Sequence, residues 1–263
     1  MMEELLAIAR GAGEEVLRYY GQGGAVQKKA DNSPLTLADR AAHTYIAQRL
    51  RAFDAEGFLL SEESPEEEVA GRHGWSAFWL VDPLDGTKEF IKQSGEFTIN
   101  IAKVENGVPV RGVVHAPVLG ETWYAEKGQG AWKMAEGQAP QRLRTRAWPG
   151  DEPVIVASRD HAGPQVAELF RRYPGAQTAS MGSSLKFCLV AEGKADLYLR
   201  DVPTMEWDTG AAQIIVEEAG GQVTDLAGKV LSYNKASLRN PFLLTRGDPD
   251  FFPPLAGNAE GGS

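Results

Sequence analysis

The chain has 263 residues, of which 43% are hydrophobic and 24% are charged, the ordinary balance of a globular protein. Its 27 Lys and Arg residues against 36 Asp and Glu residues give a formal net charge of −9, which argues against a nucleic-acid polymer as partner. A single cysteine excludes a disulfide framework and a Cys-rich metal site. With no signal-peptide pattern and no apolar stretch near the ~18 residues of a membrane-spanning helix, we expect a cytoplasmic protein without a membrane partner.

Two helices are predicted before any strand. Apolar residues recur at helical spacing over residues 3–20, and the glycines that follow end this pattern. After a polar turn, Thr36 and Asp39 have the spacing of a capping box that opens a second helix, with Ala42 and Leu50 on its apolar face.

The next part of the chain is typical of a largely antiparallel sheet. Short apolar or alternating runs are separated by turn signals such as those at residues 105–107 and 127–130. The runs lie at residues 58–60, 78–81, 97–104, 108–115 and 121–125.

From residue 153 onward, alternating strands and helices indicate α/β structure. Strands are predicted at residues 154–158 and 195–199, and helices at residues 163–173, 183–192 and 209–218. We therefore expect an α+β N-terminal half over residues 1–137, an α/β C-terminal half over residues 138–256, and a frayed tail at residues 257–263.

The densest chemical signal is the segment DPLDGT, in which an apolar strand runs into Asp82 and a second acid, Asp85, follows. Pro83 is expected to end the strand. Two carboxylates held on one turn repel each other unless a cation lies between them, and hard oxygen ligands suit Mg²⁺. The amides of Gly86 and Thr87, at the start of a helical stretch, would point towards an anion such as phosphate. A plain strand-to-helix turn capped by Asp85 is the alternative.

Further acids allow two interpretations each. Glu62 follows an apolar run, where it is either a metal ligand or part of an acidic loop. Asp208 precedes an apolar helix and Asp39 lies in the first turn of another, so helix capping alone would explain both.

Two segments of the C-terminal half could bind a second anionic group. His161 follows a predicted strand, and Ser184 and Lys186 stand where a helix begins, although residues of this kind are more often part of a solvated loop or a helix cap. Cys188, between two apolar residues, is most simply a small buried hydrophobe. The chain lacks a dinucleotide fingerprint, a Walker lysine and a G-x-S-x-G elbow, and the spacing of Asp82 and Asp85 is not that of an aspartyl nucleophile motif.

Three linked motifs resemble the signatures of the inositol monophosphatase superfamily of metal-dependent phosphatases. They are Glu62-Glu63, the DPLDGT segment at residues 82–87, and WDTGAA at residues 207–212 followed by Gly220-Gly221, and their intervals agree along nearly the whole chain. Residues 29–36, 87–98 and 182–188 resemble most the 3′(2′),5′-bisphosphate nucleotidase branch of the CysQ type.

This resemblance implies a layered αβαβα sugar-phosphatase fold and hydrolysis of 3′-phosphoadenosine 5′-phosphate to AMP and phosphate. It also implies a place in sulfur metabolism, dependence on two or three Mg²⁺ ions, sensitivity to lithium, and dimers as a common assembly. The same site chemistry on inositol monophosphate or fructose 1,6-bisphosphate is the nearest alternative. A non-catalytic regulator that binds metal and an anion is a second.

The resemblance also implies roles for individual residues. The carboxylates of Glu62, Asp82, Asp85 and Asp208 and the carbonyl of Leu84 would bind the metals. Thr87, held by Asp39, would orient the attacking water or accept its proton. The implied substrate contacts are Glu62, Leu84, Asp85, Gly86, Thr87, His161, Ser184, Lys186 and Asp208. The chain departs from the family pattern at Glu206 and Gly210, and we expect Glu206 to add negative charge near the site.

Overall fold

The computed structural model of the chain describes residues 1–21, 27–28, 34–35, 37–157, 163–253 and 255. The described helices are α1 (Met2–Leu17), α2 (Leu37–Phe53), α3 (Glu66–Val69), α4 (Thr87–Ile91), α5 (Pro164–Arg172), α6 (Leu185–Ala191) and α7 (Gly210–Glu218), with short 3₁₀ turns at Arg72–Gly74 and Glu206–Asp208. None of these helices is both long and apolar enough to cross a membrane.

Fourteen strands are described. In the N-terminal part they are β1 (Gln27–Lys28), β2 (Pro34–Leu35), β3 (Phe58–Ser61), β4 (Ala77–Asp85), β5 (Thr98–Glu105), β6 (Val108–Ala116), β7 (Glu121–Glu126), β8 (Gly130–Ala135) and β9 (Gln141–Arg142). The later strands are β10 (Val154–Val156), β11 (Gln177–Ala179), β12 (Leu197–Arg200), β13 (Gln222–Asp225) and β14 (Leu243–Arg246).

The first large sheet has seven strands in the order β3-β4-β5-β6-β7-β8-β9. Every neighbouring pair is antiparallel except β3 and β4, which run parallel and are joined by a crossover containing α3. The prediction of a largely antiparallel sheet is confirmed. Strand β8 is not among the predicted runs, and only its first residue, Gly130, belongs to the turn predicted at residues 127–130.

The second large sheet has five strands in the order β11-β10-β12-β14-β13. β10 is parallel to both of its neighbours, whereas β14 is antiparallel to both of its own, so the sheet is mixed. The α/β character of this half is confirmed, although β11, β13 and β14 are not among the predicted strands.

The packing of apolar side chains shows five layers. One core joins α1 and α2 to one face of the seven-stranded sheet, through residues such as Ile8, Ile46 and Ile101. A second core lies between the two sheets and contains α6 and α7, and a third joins α5 to the outer face of the five-stranded sheet. The αβαβα order implied by the resemblance is therefore present.

The central core contains residues from both halves, for example Phe78 of the first sheet and Tyr198 of the second. The first large sheet ends at Arg142 and the second begins at Val154. A division at residue 137 stays a prediction, and the tail at residues 257–263 lies outside the described residues.

Helix α7 lies very close to strand β6. A Cβ atom at Gly112 of β6 would clash with the carbonyl oxygen of Ala211 in α7, so only glycine allows this approach. The close packing fixes the start of α7 against the seven-stranded sheet. Helix α7 begins two residues after Asp208, so this packing also places Asp208 near the end of β4.

Candidate metal and substrate site

Three carboxylates meet where β4 ends and α7 begins. Asp82, Asp85 and Asp208 each offer one carboxylate oxygen, and these oxygens lie within 4.8 Å of one another. Asp82 is fully buried, whereas the other two are partly exposed. The structure thus brings together acids that are more than a hundred residues apart in the chain.

Strand β4 does not stop at Pro83, contrary to the prediction. It continues to Asp85, and its pairing with β5 shifts register between Asp82 and Asp85. Proline is tolerated at such a bulge because no ladder hydrogen bond is required there. The bulge also lets Asp82 Oδ1 accept a hydrogen bond from the Leu84 amide at 3.1 Å.

Asp208 does not cap helix α7, so the interpretation of this residue as a plain helix cap is wrong. The residue that precedes the first turn of α7 is Thr209. Asp208 instead ends the 3₁₀ turn, where its Oδ2 accepts a hydrogen bond from the Met205 amide at 2.8 Å. The side chain is thereby held at the cluster.

The acids of this cluster disfavour one another's ionisation. Burial raises the pKa of Asp82 well above its usual range, and the charges of Glu62, Asp85, Asp208 and Asp39 raise it further. Burial, followed by the charge of Asp85, raises the pKa of Asp208 to about 8. The charges of Glu62 and Asp39 thus act on Asp82, while the implied roles of these two residues stay predictions.

This repulsion predicts a pH-dependent response to Mg²⁺. Folding raises the pKa of Asp208 from 3.8 to about 8. Protonation of this carboxyl group therefore stabilises the metal-free protein fully below the unfolded pKa, and the stabilisation is lost as pH rises through about 8. A divalent cation offsets the charges that then appear. We expect Mg²⁺ to raise the melting temperature more at about pH 9 than at about pH 6, because protons compete for the same oxygens. Thermal unfolding with and without Mg²⁺ checks this, and equal increments at both values would contradict it.

Strand β4 leads directly into the segment for which phosphate contacts are implied. Gly86 has a left-handed backbone with φ 92° and precedes α4, whose first residue is Thr87. The Thr87 hydroxyl lies 3.5 Å from the carbonyl oxygen of Leu84. Asp39 is fully buried in the first turn of α2, and its contact with Thr87 stays a prediction.

Asp85 and Asp208 also line a cleft with a volume of about 350 Å³. Basic side chains share its wall, and they are Lys88, Lys92, Lys186 and Arg200. Although the whole chain carries a net charge of −9, the cleft therefore combines carboxylates with cations. This mixture suits an anionic ligand whose phosphate is bridged to the acids by metal.

Ser184 and Lys186 line the cleft, but both polar groups have protein partners. Lys186 Nζ donates hydrogen bonds to the carbonyl oxygens of Met181 at 3.1 Å and Ser183 at 3.0 Å. Burial lowers the pKa of this ammonium group. Ser184 Oγ lies 3.0 Å from Asp85 Oδ2. Their contact with substrate stays a prediction, and His161 lies outside the described residues.

Arg200 is a cleft residue that no motif revealed. It is the last residue of β12, and its Nε atom is buried without a hydrogen-bond partner among the described residues. Its positive charge acts to lower the pKa of Asp208, so it lies near the acids. A charged residue directly after an apolar strand, the signal that singles out Asp82, could have found it.

Glu206 does not add its charge to the cleft, contrary to the expectation. Its fully buried carboxylate is 2.6 Å from Lys235 Nζ and accepts hydrogen bonds from the amides of Asn234 at 2.7 Å and Lys235 at 3.0 Å. These donors offset the charge and anchor the loop after β13. Cys188 is buried, as expected.

Comparison with known proteins gives consistent matches over nearly the whole chain. The model of the inositol monophosphatase family matches residues 1–247. The 3′(2′),5′-bisphosphate nucleotidases CysQ of Salmonella typhimurium and Escherichia coli are each 46% identical over 244 residues, which cover 92% of this chain and 97% of theirs.

Solved structures agree with this assignment. The crystal structure of CysQ from Bacteroides thetaiotaomicron is 41% identical, with a TM-score of 0.80 over 93% of this chain and 96% of that one. An inositol monophosphatase from Thermotoga maritima is 29% identical, with a TM-score of 0.76 over 94% of this chain and 91% of that one. On its sequence and on its fold, this chain belongs to the inositol monophosphatase family.

Proposed function

We propose that this protein removes the 3′-phosphate of 3′-phosphoadenosine 5′-phosphate, giving AMP and phosphate. The observation that carries the proposal is the meeting of Asp82, Asp85 and Asp208 at a cleft that also contains cations. The substrate is inferred from the relatives named bisphosphate nucleotidase, which match 92% of the chain at 46% identity.

The donor set fits a hard divalent cation. Carboxylate oxygens are the ligands that Mg²⁺ prefers, and the mutual repulsion of these acids is relieved when a cation binds. We propose that Glu62, Asp82, Asp85, Asp208 and the carbonyl of Leu84 hold two or three Mg²⁺ ions. When bound, such ions lower the pKa of water and stabilise the attacking and leaving oxygens of an in-line displacement.

The chain itself positions the water and the phosphate. In this proposal the Thr87 hydroxyl orients the attacking water. The water gives a proton to Thr87 Oγ1, and the Thr87 hydroxyl proton passes to the carboxylate of Asp39. The amides of Gly86 and Thr87 donate hydrogen bonds to the phosphate that is removed. The left-handed Gly86 supports this arrangement, because it turns the backbone between the acids and α4.

The rest of the nucleotide lies along the cationic part of the cleft. Arg200 and Lys186 line this part, and we propose that they face the second phosphate together with Ser184 and His161. Because the protein as a whole is acidic, these cations and the metals must supply the local attraction for the substrate. We therefore expect metal-free protein to bind the nucleotide poorly.

A second candidate is the same hydrolysis on inositol monophosphate or fructose 1,6-bisphosphate. The likeness to the Thermotoga maritima inositol monophosphatase, at 29% identity, favours it. A non-catalytic binder of metal and anion would not need Thr87 and Asp39 beside the acids. The single cysteine supports a reducing cytoplasm as the location, and a homodimer stays a prediction.

Phosphate release from the three substrates in parallel separates these candidates. We expect kcat/KM for 3′-phosphoadenosine 5′-phosphate to be at least about tenfold higher than for inositol 1-phosphate or fructose 1,6-bisphosphate, a difference of ~1.4 kcal/mol in transition-state stabilisation. Activity should require Mg²⁺ and fall when lithium is added. A preference for either sugar phosphate would reassign the substrate while keeping the metal site, and release without Mg²⁺ would contradict the metal-dependent mechanism.

A further inference from the structure

A buried chain of polar side chains crosses from the first large sheet to the start of α6. Thr98 and Asn100 lie on β5, and Ser183 and Ser184 lie just before α6; we call these four residues the polar latch. Thr98, Asn100 and Ser184 are at most 1% exposed. Since unsatisfied polar groups are costly at such depth, their hydrogen bonds are expected to be specific.

The hydrogen bonds of the latch converge on one oxygen of Asp85. Ser183 Oγ lies 2.5 Å from Asp85 Oδ2, Ser184 Oγ lies 3.0 Å from it, and the Asn100 amide nitrogen lies 3.5 Å from it. The Asn100 amide also donates to Ser184 Oγ at 2.9 Å. The three contacts to Asp85 are all to Oδ2, so the latch holds the carboxylate in one orientation.

Thr98 contacts two other members of the latch, Ser183 and Asn100. Thr98 Oγ1 and Ser183 Oγ are 2.5 Å apart, and each hydroxyl has one proton to donate. The Thr98 hydroxyl donates to Asn100 Oδ1 at 3.0 Å, and Ser183 Oγ donates to Asp85 Oδ2. The bond from Thr98 holds the Asn100 side chain with its NH₂ group towards Ser184 and Asp85. Thr98 therefore acts on Asp85 through Asn100 and Ser183 and has no need to touch a ligand.

Ser184 extends the latch to the other side of the site. Its hydroxyl lies 3.1 Å from the carbonyl oxygen of Asp208, in addition to its contact with Asp85. The latch thus connects the acid that ends β4 with the acid that precedes α7. Their relative position depends on these contacts as well as on the apolar core.

We propose that Thr98 and Asn100 are positioning residues that, through Ser183 and Ser184, orient the Asp85 carboxylate for the metal. This inference rests on the proposed metal site. Groups that hydrogen-bond to metal ligands fix their orientation, and replacing them commonly weakens metal binding about 10- to 100-fold. The latch makes the affinity for Mg²⁺ depend on contact between the two halves of the chain.

The decisive experiment is calorimetric titration of Mg²⁺ into Thr98→Val, compared with the wild-type protein and a matched control. Valine has nearly the shape of threonine, so the substitution removes the hydroxyl and little else. Thr224 of β13 supplies the control, because it is equally buried and its hydroxyl has no hydrogen-bond partner among the described residues. We expect Thr98→Val to raise the Kd for Mg²⁺ roughly tenfold or more, and Thr224→Val to leave it unchanged.

A conservative variant separates positioning from loss of structure. Thr98→Ser keeps the donor and should restore most of the affinity, whereas a defect in packing alone would persist. The Mg²⁺ concentration for half-maximal activity should rise in Thr98→Val more than kcat at saturating Mg²⁺ falls. Should Thr98→Val not fold, Ser184→Ala is titrated in its place, with the same expectation.

The possible results distinguish the latch from the site on which it rests. If the wild-type protein fails to bind Mg²⁺, the proposed metal site is wrong, and so is the proposed role of the latch in positioning Asp85. If the wild type and Thr98→Val bind Mg²⁺ equally, the latch is overturned while the proposed function stands. A Kd raised in both Thr98→Val and Thr224→Val would also overturn it, since loss of any buried hydroxyl would then suffice.

Discussion

Replacing Asp82 or Asp208 with asparagine is expected to reduce kcat/KM by about a thousandfold or more. Each change removes a charged oxygen from the cluster in which the three acids lie within 4.8 Å. A thousandfold loss corresponds to ~4 kcal/mol of transition-state stabilisation, the order of magnitude that a bound metal ion supplies in phosphoryl transfer. Phosphate release at saturating Mg²⁺ measures the effect. Retention of more than about a tenth of the wild-type kcat/KM, a loss below ~1.4 kcal/mol, would remove that residue from the metal ligands.

The same variants should not destabilise the metal-free protein. The pKa of Asp82 is raised by burial and by the charges of Glu62 and Asp85, so the ionised form of Asp82 destabilises the folded protein. Asparagine cannot ionise, and the melting temperature without metal should therefore stay level or rise at neutral pH. Loss of activity together with undiminished stability would place the defect in the chemistry rather than in folding.

Asp54→Asn is the matched control, and the opposite result is expected. Asp54 lies outside the cleft and accepts hydrogen bonds from Lys103 at 2.8 Å and Trp79 at 2.9 Å. The bond from Lys103 holds the pKa of this carboxyl below its usual range, so the ionised form stabilises the protein. The variant should lose stability and keep kcat/KM. If Asp54→Asn and Asp82→Asn impair activity equally, the loss is not specific to the cluster.

The parts of the site that are local in sequence could be predicted from it. The DPLDGT segment places Asp82, Asp85 and Thr87 on one turn, since an apolar run followed by acids and glycine marks the end of a buried strand. The strand-rich first half and the α/β second half follow for a similar reason, because most strands and helices have clear apolar periodicity, whereas the layered αβαβα order is implied only by the resemblance to the family. One prediction from local spacing is wrong: Pro83 does not end the strand, because a bulge there lets β4 continue to Asp85.

The parts that depend on distant contacts could not be predicted in this way. Thr98 and Ser183 meet across 85 positions, and no local pattern links a strand threonine to a serine before a helix. Glu206 shows the same limit: its closeness to Asp208 in sequence indicates a shared site, whereas its partner is Lys235, 29 positions later. The pairing of side chains across layers is decided by tertiary packing.

The cations of the cleft raise the question of which one recognises the second phosphate. Lys186 already donates to two backbone carbonyls. Lys88 on the short helix α4 and Lys92 directly after it are both exposed. Arg200 has a buried Nε without a partner among the described residues, and its guanidinium presents several donors in one plane. A phosphate can accept two such bonds at once, so Arg200 is the best candidate.

Arg200→Gln is therefore expected to lower kcat/KM for 3′-phosphoadenosine 5′-phosphate roughly 10- to 100-fold, as hydrogen bonds between charged groups contribute about 1.5–3 kcal/mol. Such a loss has two possible explanations, because Arg200 could contact the second phosphate and its charge also acts on Asp208. Inositol 1-phosphate separates them, since it has a single phosphate. An effect exerted through Asp208 would reduce turnover of both substrates equally, whereas loss of a contact to the second phosphate would reduce turnover of the nucleotide alone. Arg172→Gln, at an exposed position of α5 outside the cleft, is the control and should change neither. Equal losses for both substrates in Arg200→Gln would assign Arg200 to the metal site instead of to the nucleotide.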